Sequence, residues 1–168
     1  MKKRVLQLSV LIFFVLLILL QPNLLIPVKG ATIDDWNQKS FWYEPWGKSI
    51  VHRGIDIFAK SGTMIISPTT LFIFYVGNNP MSGKFVLGLD RSMRVHFFAH
   101  MKSISSHQFD ITFTGNKIGS VGDTGNAAGK PPHLHYGIVS LVPQLWKMSS
   151  ETLGYLRAFY LNPAEYFI

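Results

Sequence analysis

The chain has 168 residues, enough for one domain and a short leader but too few for two catalytic domains. It contains no cysteine, which excludes disulfides and thiolate metal sites. The formal net charge is +7, but residues 1–30 hold four basic and no acidic side chains, so residues 31–168 carry 12 minus 9, or +3. No basic cluster with interleaved aromatic residues is present, and a nucleic-acid partner is therefore not expected.

The first predicted element is a hydrophobic helix within residues 1–30. Three basic residues at positions 2–4 precede an uncharged apolar run over residues 5–20, which is the pattern of a signal peptide or of a membrane anchor. Cleavage before Ala31 would remove it, whereas the uncharged stretch through Val28 is long enough to span a bilayer if it is retained. Both alternatives place the following domain outside the cytoplasm, in the periplasm or cell envelope.

Residues 31–46 form an aromatic-rich lead-in segment ahead of a domain predicted over residues 47–168. Its aromatic side chains would either line a groove for sugar or peptide or, more commonly, pack into the core and cover a sheet edge; they are Trp36, Trp42, Tyr43 and Trp46. The order of these residues in the chain does not separate the two roles.

His52 and Asp56 are the first pair of residues suited to binding a metal. Four residues along a straight strand span roughly 13 Å, too far for two side chains to share one ion, so the chain must bend between them. Gly54 lies midway and would permit the turn. A helix is disfavoured here by Gly54 and the neighbouring β-branched residues, so we expect a loop that leads into a strand.

Most of the domain is predicted to be β-strand. Runs rich in Val, Ile, Phe and Tyr, separated by Gly, Pro, Asn and Ser, cover residues 63–68, 71–76, 84–89, 93–99 and 133–141. Short strands at this spacing indicate an all-β fold, an antiparallel sheet or sandwich. A short C-terminal helix is predicted only over residues 151–160.

The strand that begins at His133 carries the second pair of candidate side chains. His133 and His135 project to the same face of a strand because side chains alternate with period two. Three glycines and their polar neighbours in residues 122–129 predict a tight loop directly before this strand. His96 and His107 lie outside the pattern, and packing or exposure at the surface is the expected role of each.

The two pairs of candidate side chains and His100 together suit a zinc site that catalyses hydrolysis. A catalytic zinc ion typically takes three His or carboxylate ligands and keeps a fourth position open, and His52, Asp56 and His135 supply such a set. His100 and His133 remain free to assist chemistry, and histidine's ordinary pKa near 6.5 suits proton transfer or oxyanion stabilisation at neutral pH.

Three segments resemble the signature segments of the M23 metallopeptidases, the lysostaphin-type or LytM-like peptidoglycan endopeptidases. They are His-Arg-Gly-Ile-Asp-Ile from His52, Ala-His-Met around His100, and the glycine-rich stretch that ends in His-Leu-His-Tyr-Gly-Ile from His133. Their order and intervening lengths also match. Met101 and Tyr136 depart from the usual Leu and Phe, and neither change removes a functional group.

The resemblance implies a lysostaphin-type β-fold with one Zn²⁺ bound by His52, Asp56 and His135, while His100 and His133 assist catalysis. It further implies a zinc endopeptidase that cuts the stem or cross-bridge peptides of peptidoglycan. Two alternatives stay open: a non-catalytic M23-like module that regulates another cell-wall hydrolase, and a metallopeptidase that acts on proteins. A glycine-rich phosphate loop is disfavoured, because no helix and no Lys-Ser/Thr pair follows the glycines.

Overall fold

The structure, a computed structural model, describes residues 2–19 and 22–168. The predicted N-terminal helix is present as α1 (Lys2–Leu19). Over the described ranges, no helix combines the length and the hydrophobicity that crossing a membrane requires.

Among the described residues, the larger of two antiparallel sheets holds seven strands. They are β1 (Ile55–Phe58), β3 (Leu71–Asn79), β4 (Gly83–Leu89), β5 (Arg94–Met101), β7 (Ile111–Thr112), β9 (His133–Ser140) and β10 (Tyr160–Leu161). Their spatial order is β1-β9-β5-β4-β3-β7, with β10 pairing beside the C-terminal half of β9. The strand β9 is therefore central, with β1 and β10 on one side and β5 on the other.

The smaller sheet holds three strands in the order β2-β8-β6. They are β2 (Met64–Ile66), β6 (Ser103–Ile104) and β8 (Lys117–Ser120). Side chains from both sheets share one hydrophobic core, in which Ile65 of β2 and Ile118 of β8 join Leu134 and Ile138 of β9. All four are fully buried, so the large sheet has one face in the core and the other free to form a site.

The expected all-β antiparallel fold with an N-terminal helix is confirmed. The predicted runs overlap β2, β3, β4, β5 and β9, and the bend after His52 does lead into a strand, β1. The helix predicted over residues 151–160 is absent, because a short 3-10 helix (Gly154–Ala158) stands there and β10 follows it. Leu153 has a left-handed φ of 56°, which an α-helix does not accept, and a Cβ at Gly154 would lie 2.2 Å from the Ser149 carbonyl oxygen.

Five further 3-10 helices lie within the described residues: two before β1, two between strands and one after β10. They are Ile33–Asp35, Gly47–Ser49, Gly125–Ala127, Leu145–Lys147 and Pro163–Glu165. Each of these 3-10 helices spans three residues, so it forms a single tight turn and is too short to pack against the sheets as a helix.

The segment just before residue 31 belongs to the folded domain. Leu24 and Val28 fall within residues 1–30 of the predicted leader, and both side chains are buried in the core. The Leu24 amide donates to Tyr166 O at 2.7 Å, and the Lys29 amide donates to Met64 O at 2.9 Å. The packed domain thus begins upstream of Ala31.

A buried polar network lies on the core face of the sheet. Arg94 Nε donates to Asp90 Oδ2 at 2.6 Å, and both side chains are fully buried. The neutral His96 ring joins them, because Nε2 lies 3.2 Å from the same carboxylate and Nδ1 accepts from the Tyr136 hydroxyl at 2.6 Å. Burial lowers the pKa of His96, which keeps the ring neutral at pH 7.

Asp90 is the one acid in this network, and its ionised form is strongly favoured. Burial alone would raise its pKa, but the hydrogen bond from His96, the charge of Arg94 and the hydrogen bond from the Arg94 amide outweigh that effect and lower the pKa to about 2. A depressed carboxyl pKa stabilises the fold above the unfolded value of 3.8, and this contribution disappears as pH falls through about 2.

We expect Asp90→Asn to lower the free energy of unfolding at pH 7 by about 3 kcal/mol, because it leaves the buried Arg94 guanidinium without its counter-charge. The deficit relative to wild type should shrink as pH falls from 3.8 towards 2, where Asp90 itself becomes protonated. Urea unfolding across this pH range measures both effects. The exposed Asp34→Asn is the matched control and should change stability by less than about 0.5 kcal/mol; equal losses in both variants would contradict the assignment.

Candidate metal and catalytic site

Two neighbouring strands bring the first pair of site residues together. Asp56 of β1 lies directly opposite His135 of β9 in the antiparallel register. Residues opposite each other project to the same face, with Cβ atoms only about 5 Å apart. His135 Nδ1 therefore lies 2.9 Å from Asp56 Oδ1, on the sheet face that is turned away from the core.

His52 reaches the same point from the loop before β1. The backbone of His52 pairs with the lead-in segment, since Trp42 N donates to His52 O at 2.7 Å and His52 N donates to Tyr43 O at 3.0 Å. Its Nδ1–H donates to Ser40 O at 3.0 Å. Because a carbonyl oxygen only accepts, the proton resides on Nδ1 and the lone pair of Nε2 points at the site.

Gly54 permits this approach in a different way from the one expected. Its φ is not in the left-handed region, so the bend does not require glycine for backbone conformation. A Cβ at this position would lie 2.6 Å from Tyr136 O and 3.0 Å from the His135 ring. The glycine is needed because the His52 loop lies directly against β9.

The three candidate ligand atoms fit a small tetrahedral cation. His52 Nε2 lies 3.2 Å from Asp56 Oδ1 and 3.1 Å from His135 Nδ1. Tetrahedral zinc with bonds of about 2.0–2.1 Å would separate its ligand atoms by about 3.3 Å. Three lone pairs at this spacing repel one another unless a cation or a shared proton lies between them, so the donor set suits zinc.

The pKa of Asp56 reflects the same arrangement. Burial alone would raise it, but the hydrogen bonds and charge that the protonated forms of His135 and His52 supply outweigh burial and hold the pKa well below its usual range. Asp56 is therefore ionised at neutral pH, as a metal ligand must be.

His100 reaches the site through an irregularity in β5. Regular alternation would place it on the core face with His96 and Phe98, which are fully buried. Instead, β5 carries one extra residue opposite β4 near Phe85, and His100 adopts a left-handed φ of 63°. Its ring then lies 5.1 Å from the ring of His133 and 6.0 Å from that of His135.

The two free histidines are oriented by backbone carbonyls. His100 Nδ1–H donates to Thr124 O at 2.9 Å, and His133 Nδ1–H donates to Pro131 O at 2.8 Å. In the neutral rings, each Nε2 therefore carries a lone pair. His133 Nε2 lies 4.0 Å from Asp56 Oδ2, which places it at the edge of the candidate metal position.

Burial and the neighbouring charge of His135 lower the pKa of His100 from 6.5 to about 4, against a weaker upward effect of the hydrogen bond to Thr124. His100 is thus neutral at pH 7. A neutral imidazole with a free Nε2 can accept a proton and, once protonated, can donate a hydrogen bond.

The glycine-rich loop supports His100. Gly125 approaches the β3–β4 turn so closely that a Cβ would lie 2.2 Å from the Gly83 amide nitrogen. The Thr124 hydroxyl donates to Met101 O and accepts from the Lys84 amide, both at 2.9 Å. These contacts fix the carbonyl that orients His100, so the close approach that the glycines permit is to the protein's own backbone.

The remaining histidines lie elsewhere. His96 is in the buried network beneath the sheet, and His107 is an exposed side chain 3.5 Å from Asp110. Four residues separate His96 from His100 on β5, but the irregularity at His100 puts the two rings on opposite faces of the sheet.

The four aromatic residues of the lead-in segment divide between two roles. Trp36 and Trp42 are buried, and Trp36 packs edge-to-face on Phe167 with ring centroids 5.4 Å apart. Trp46 instead stacks on the His52 ring at 3.9 Å and remains 37% exposed. Tyr43, also exposed, packs on Trp46. One end of the segment thus borders the site.

Sequence reasoning missed the groups that orient the histidines. Ser40, Thr124 and Pro131 act through carbonyl oxygens, which every residue has, so the sequence carries no signal for them. The stacking of Trp46 on His52 could have been suspected from the short distance along the chain.

Comparison with known proteins agrees with this geometry. The profile of Peptidase family M23 matches residues 50–144, more than half of the chain. The L-Ala--D-Glu endopeptidase of Bacillus subtilis (strain 168) is 36% identical over 115 residues, which cover 62% of this chain and 35% of that protein. The chain thus spans about a third of the length of this relative.

Solved structures share the fold. A putative peptidase M23 from Pseudomonas aeruginosa superposes with a TM-score of 0.61 at 23% identity, covering 87% of this chain and 50% of that one. The catalytic domain of lysostaphin from Staphylococcus simulans gives a TM-score of 0.57 at 21% identity, covering 63% of this chain and 81% of that one. With the profile match across all five site residues, these results show that the chain belongs to peptidase family M23.

Proposed function

We propose that this protein is a zinc endopeptidase that hydrolyses peptide bonds in bacterial peptidoglycan, outside the cytoplasm. The observation that carries the proposal is the convergence of His52 Nε2, Asp56 Oδ1 and His135 Nδ1 to within 3.2 Å of one another. These three residues would hold one Zn²⁺, and His100 and His133 flank them as the catalytic histidines.

When bound, a zinc ion supplies an electrophile that activates water and polarises the scissile carbonyl. Side chains of the protein then transfer the protons and stabilise the negative charge that develops. One of the His100 and His133 rings accepts a proton at Nε2 and returns it to the departing amine. The other, in the form that is protonated at Nε2 as well as at Nδ1, donates from Nε2 to the developing oxyanion. Fixed Nδ1 hydrogen bonds hold both rings in place, so little reorganisation accompanies the reaction.

The choice of substrate rests on the relative. The Bacillus subtilis protein is an L-Ala--D-Glu endopeptidase, and a peptide of this composition is the first candidate substrate here. The predicted leader supports a location in the periplasm or cell envelope, where such a substrate would be met. The mild positive charge of residues 31–168 suits an anionic wall polymer.

A non-catalytic regulatory module is the weaker alternative. Members of such a class have lost metal ligands, whereas all three candidate ligands and both free histidines are present and in contact here. A protein-directed peptidase would keep the same five residues and differ only in the groove.

We expect His135→Ala and Asp56→Ala to lose stoichiometric zinc, since each removes one of three protein ligands. His100→Ala and His133→Ala should retain about one zinc per chain and lose most turnover, because each removes a group used in the reaction rather than a ligand. Elemental analysis after dialysis measures the metal content. The exposed His107→Ala controls for loss of any histidine and should leave both zinc and activity intact. Full zinc in His135→Ala would disprove the ligand assignment.

Digestion of purified peptidoglycan tests the activity itself. The zinc-loaded full chain should release peptide-bond cleavage products that mass spectrometry identifies, while His133→Ala at equal zinc content should release at least about 100-fold less. A chelator should abolish the release, and added zinc should restore it. If the wild-type protein binds zinc yet releases no fragments from peptidoglycan, the proposed substrate is wrong.

A further inference from the structure

A pocket of about 300 Å³ adjoins the candidate metal site on the open face of the large sheet. Its lining includes His52 and His135, so it opens directly beside the candidate ligands. Alternate residues of neighbouring strands form its apolar floor, including Leu87, Phe97 and Val139. Its volume is at the lower end of the range for ligand sites, about 300–1,000 Å³.

Between His135 and Val139, the floor lacks a side chain. Gly137 occupies the intervening position on the same face, where a Cβ would lie 3.0 Å from Arg53 O. Any larger residue would meet the loop that carries Arg53, so the glycine keeps this part of the groove open beneath that loop.

Arg53 gives the pocket its charge. It follows His52 directly in the chain, it lines the pocket, and no Asp or Glu is among the other lining residues. Its guanidinium lies 5.3 Å above the ring of Tyr160, which forms part of the same wall. The pocket is therefore an apolar depression with one permanent cation at its side.

The guanidinium is not satisfied by the protein. Within residues 2–19 and 22–168, Arg53 has no ion pair, and its buried Nε has no hydrogen-bond partner. The buried Arg94 and the more exposed Arg157 both pair with a carboxylate, Asp90 and Glu151 respectively. Since the described residues give the half-buried Arg53 side chain no acceptor, the terminal N–H groups of its guanidinium are left to bind an acceptor supplied by a ligand in the pocket.

We propose that Arg53 binds a free carboxylate of the substrate and so selects an acidic residue beside the scissile bond. This inference rests on the proposed function and deepens it. In a linear peptide, a glutamyl residue uses one carboxyl group to continue the chain and leaves the other free. The planar guanidinium presents paired N–H donors that match a carboxylate, whereas a neutral carboxamide offers one acceptor oxygen and no charge.

The pocket position assigns Arg53 to specificity rather than to the chemical step. The substrate carboxylate lies in the pocket beside the metal ligands, with its carbon chain against the apolar floor, and the scissile amide then lies between His100 and His133. Truncating Arg53 removes a binding contact of the acidic residue and leaves the five site residues unchanged. The effect should therefore appear in binding and in KM more than in kcat.

Direct binding tests the proposal without requiring turnover. The probes are N-acetyl-L-Ala-D-Glu diamide, which has no carboxylate, and its two monoamides, which each have one. Calorimetry on full-length His133→Ala protein should show one monoamide binding about 10- to 100-fold more tightly than the diamide. Adding Arg53→Gln should reduce this ratio to within about 3-fold, and Arg53→Lys should retain part of it because the charge persists without the paired donors.

Arg91→Gln is the matched control, since Arg91 is exposed and lies outside the pocket. It should keep the full preference for the monoamide, and thermal melting should show every variant folded. Equal affinity of monoamides and diamide for the Arg53-containing protein, or no binding of any probe, overturns the proposal. So does a preference that survives Arg53→Gln.

Cleavage assays on the same peptides separate this inference from the proposed function. Hydrolysis of the diamide and monoamides at equal kcat/KM by the His133-containing protein would leave the endopeptidase intact and remove the role of Arg53. A preference in binding that Arg53→Gln abolishes, with no hydrolysis, would support the carboxylate site and contradict the endopeptidase.

Discussion

The pairing of β1 with β9 is the constraint on which the site depends. Because Asp56 and His135 are direct cross-strand partners, the sheet hydrogen bonds hold a carboxylate and an imidazole in contact before any ligand arrives. A slip of β1 by one residue would turn Asp56 into the core, away from His135. That slip is opposed by Ile55, Ile57, Leu134 and Tyr136, which alternate with the site residues on the same strands and are fully buried. Packing of the core-facing side chains thus fixes the register that places Asp56 beside His135 on the opposite face.

Backbone carbonyl groups then set the orientation of three of the site histidines. Ser40, Thr124 and Pro131 each accept a hydrogen bond from the Nδ1 of a different site histidine, so three imidazoles have the same tautomer with Nε2 directed inward. These acceptors lie in loops with contacts of their own. Trp42 and Tyr43 pair with the His52 backbone, and Thr124 bonds to Met101 and Lys84 of the large sheet. A carbonyl acceptor carries no charge and does not change with pH, unlike a carboxylate. It therefore orients a histidine without placing another titratable charge beside the site.

The sequence predicted the strands and the five chemically suited side chains. The evidence for them is local: runs of strand-forming residues bounded by glycine, the alternation of side chains along a strand, and residue types that bind zinc. It did not predict how His100 reaches the others. On a regular β5 that side chain would lie in the core, and only the extra residue and the left-handed backbone at His100 turn it to the open face. Nothing in the sequence marks a bulge at a non-glycine residue. The predicted C-terminal helix failed for a related reason, since the left-handed conformation of Leu153 is imposed by the tight approach of Gly154 to Ser149.

The strand β9 connects the site to the buried network on its other face. His135 and Tyr136 are successive residues, one directed at the candidate ligands and the other hydrogen-bonded to His96, which contacts Asp90. The Arg94–Asp90 ion pair is therefore two hydrogen bonds away from the strand that carries His133 and His135. A left-handed residue such as His100 costs on the order of 1–2 kcal/mol, and it persists only where surrounding structure determines it. Here β5 supplies both His96 to the network and His100 to the site. The network thus anchors β5 on the core face four residues before His100, while the Thr124 carbonyl holds the His100 ring on the open face.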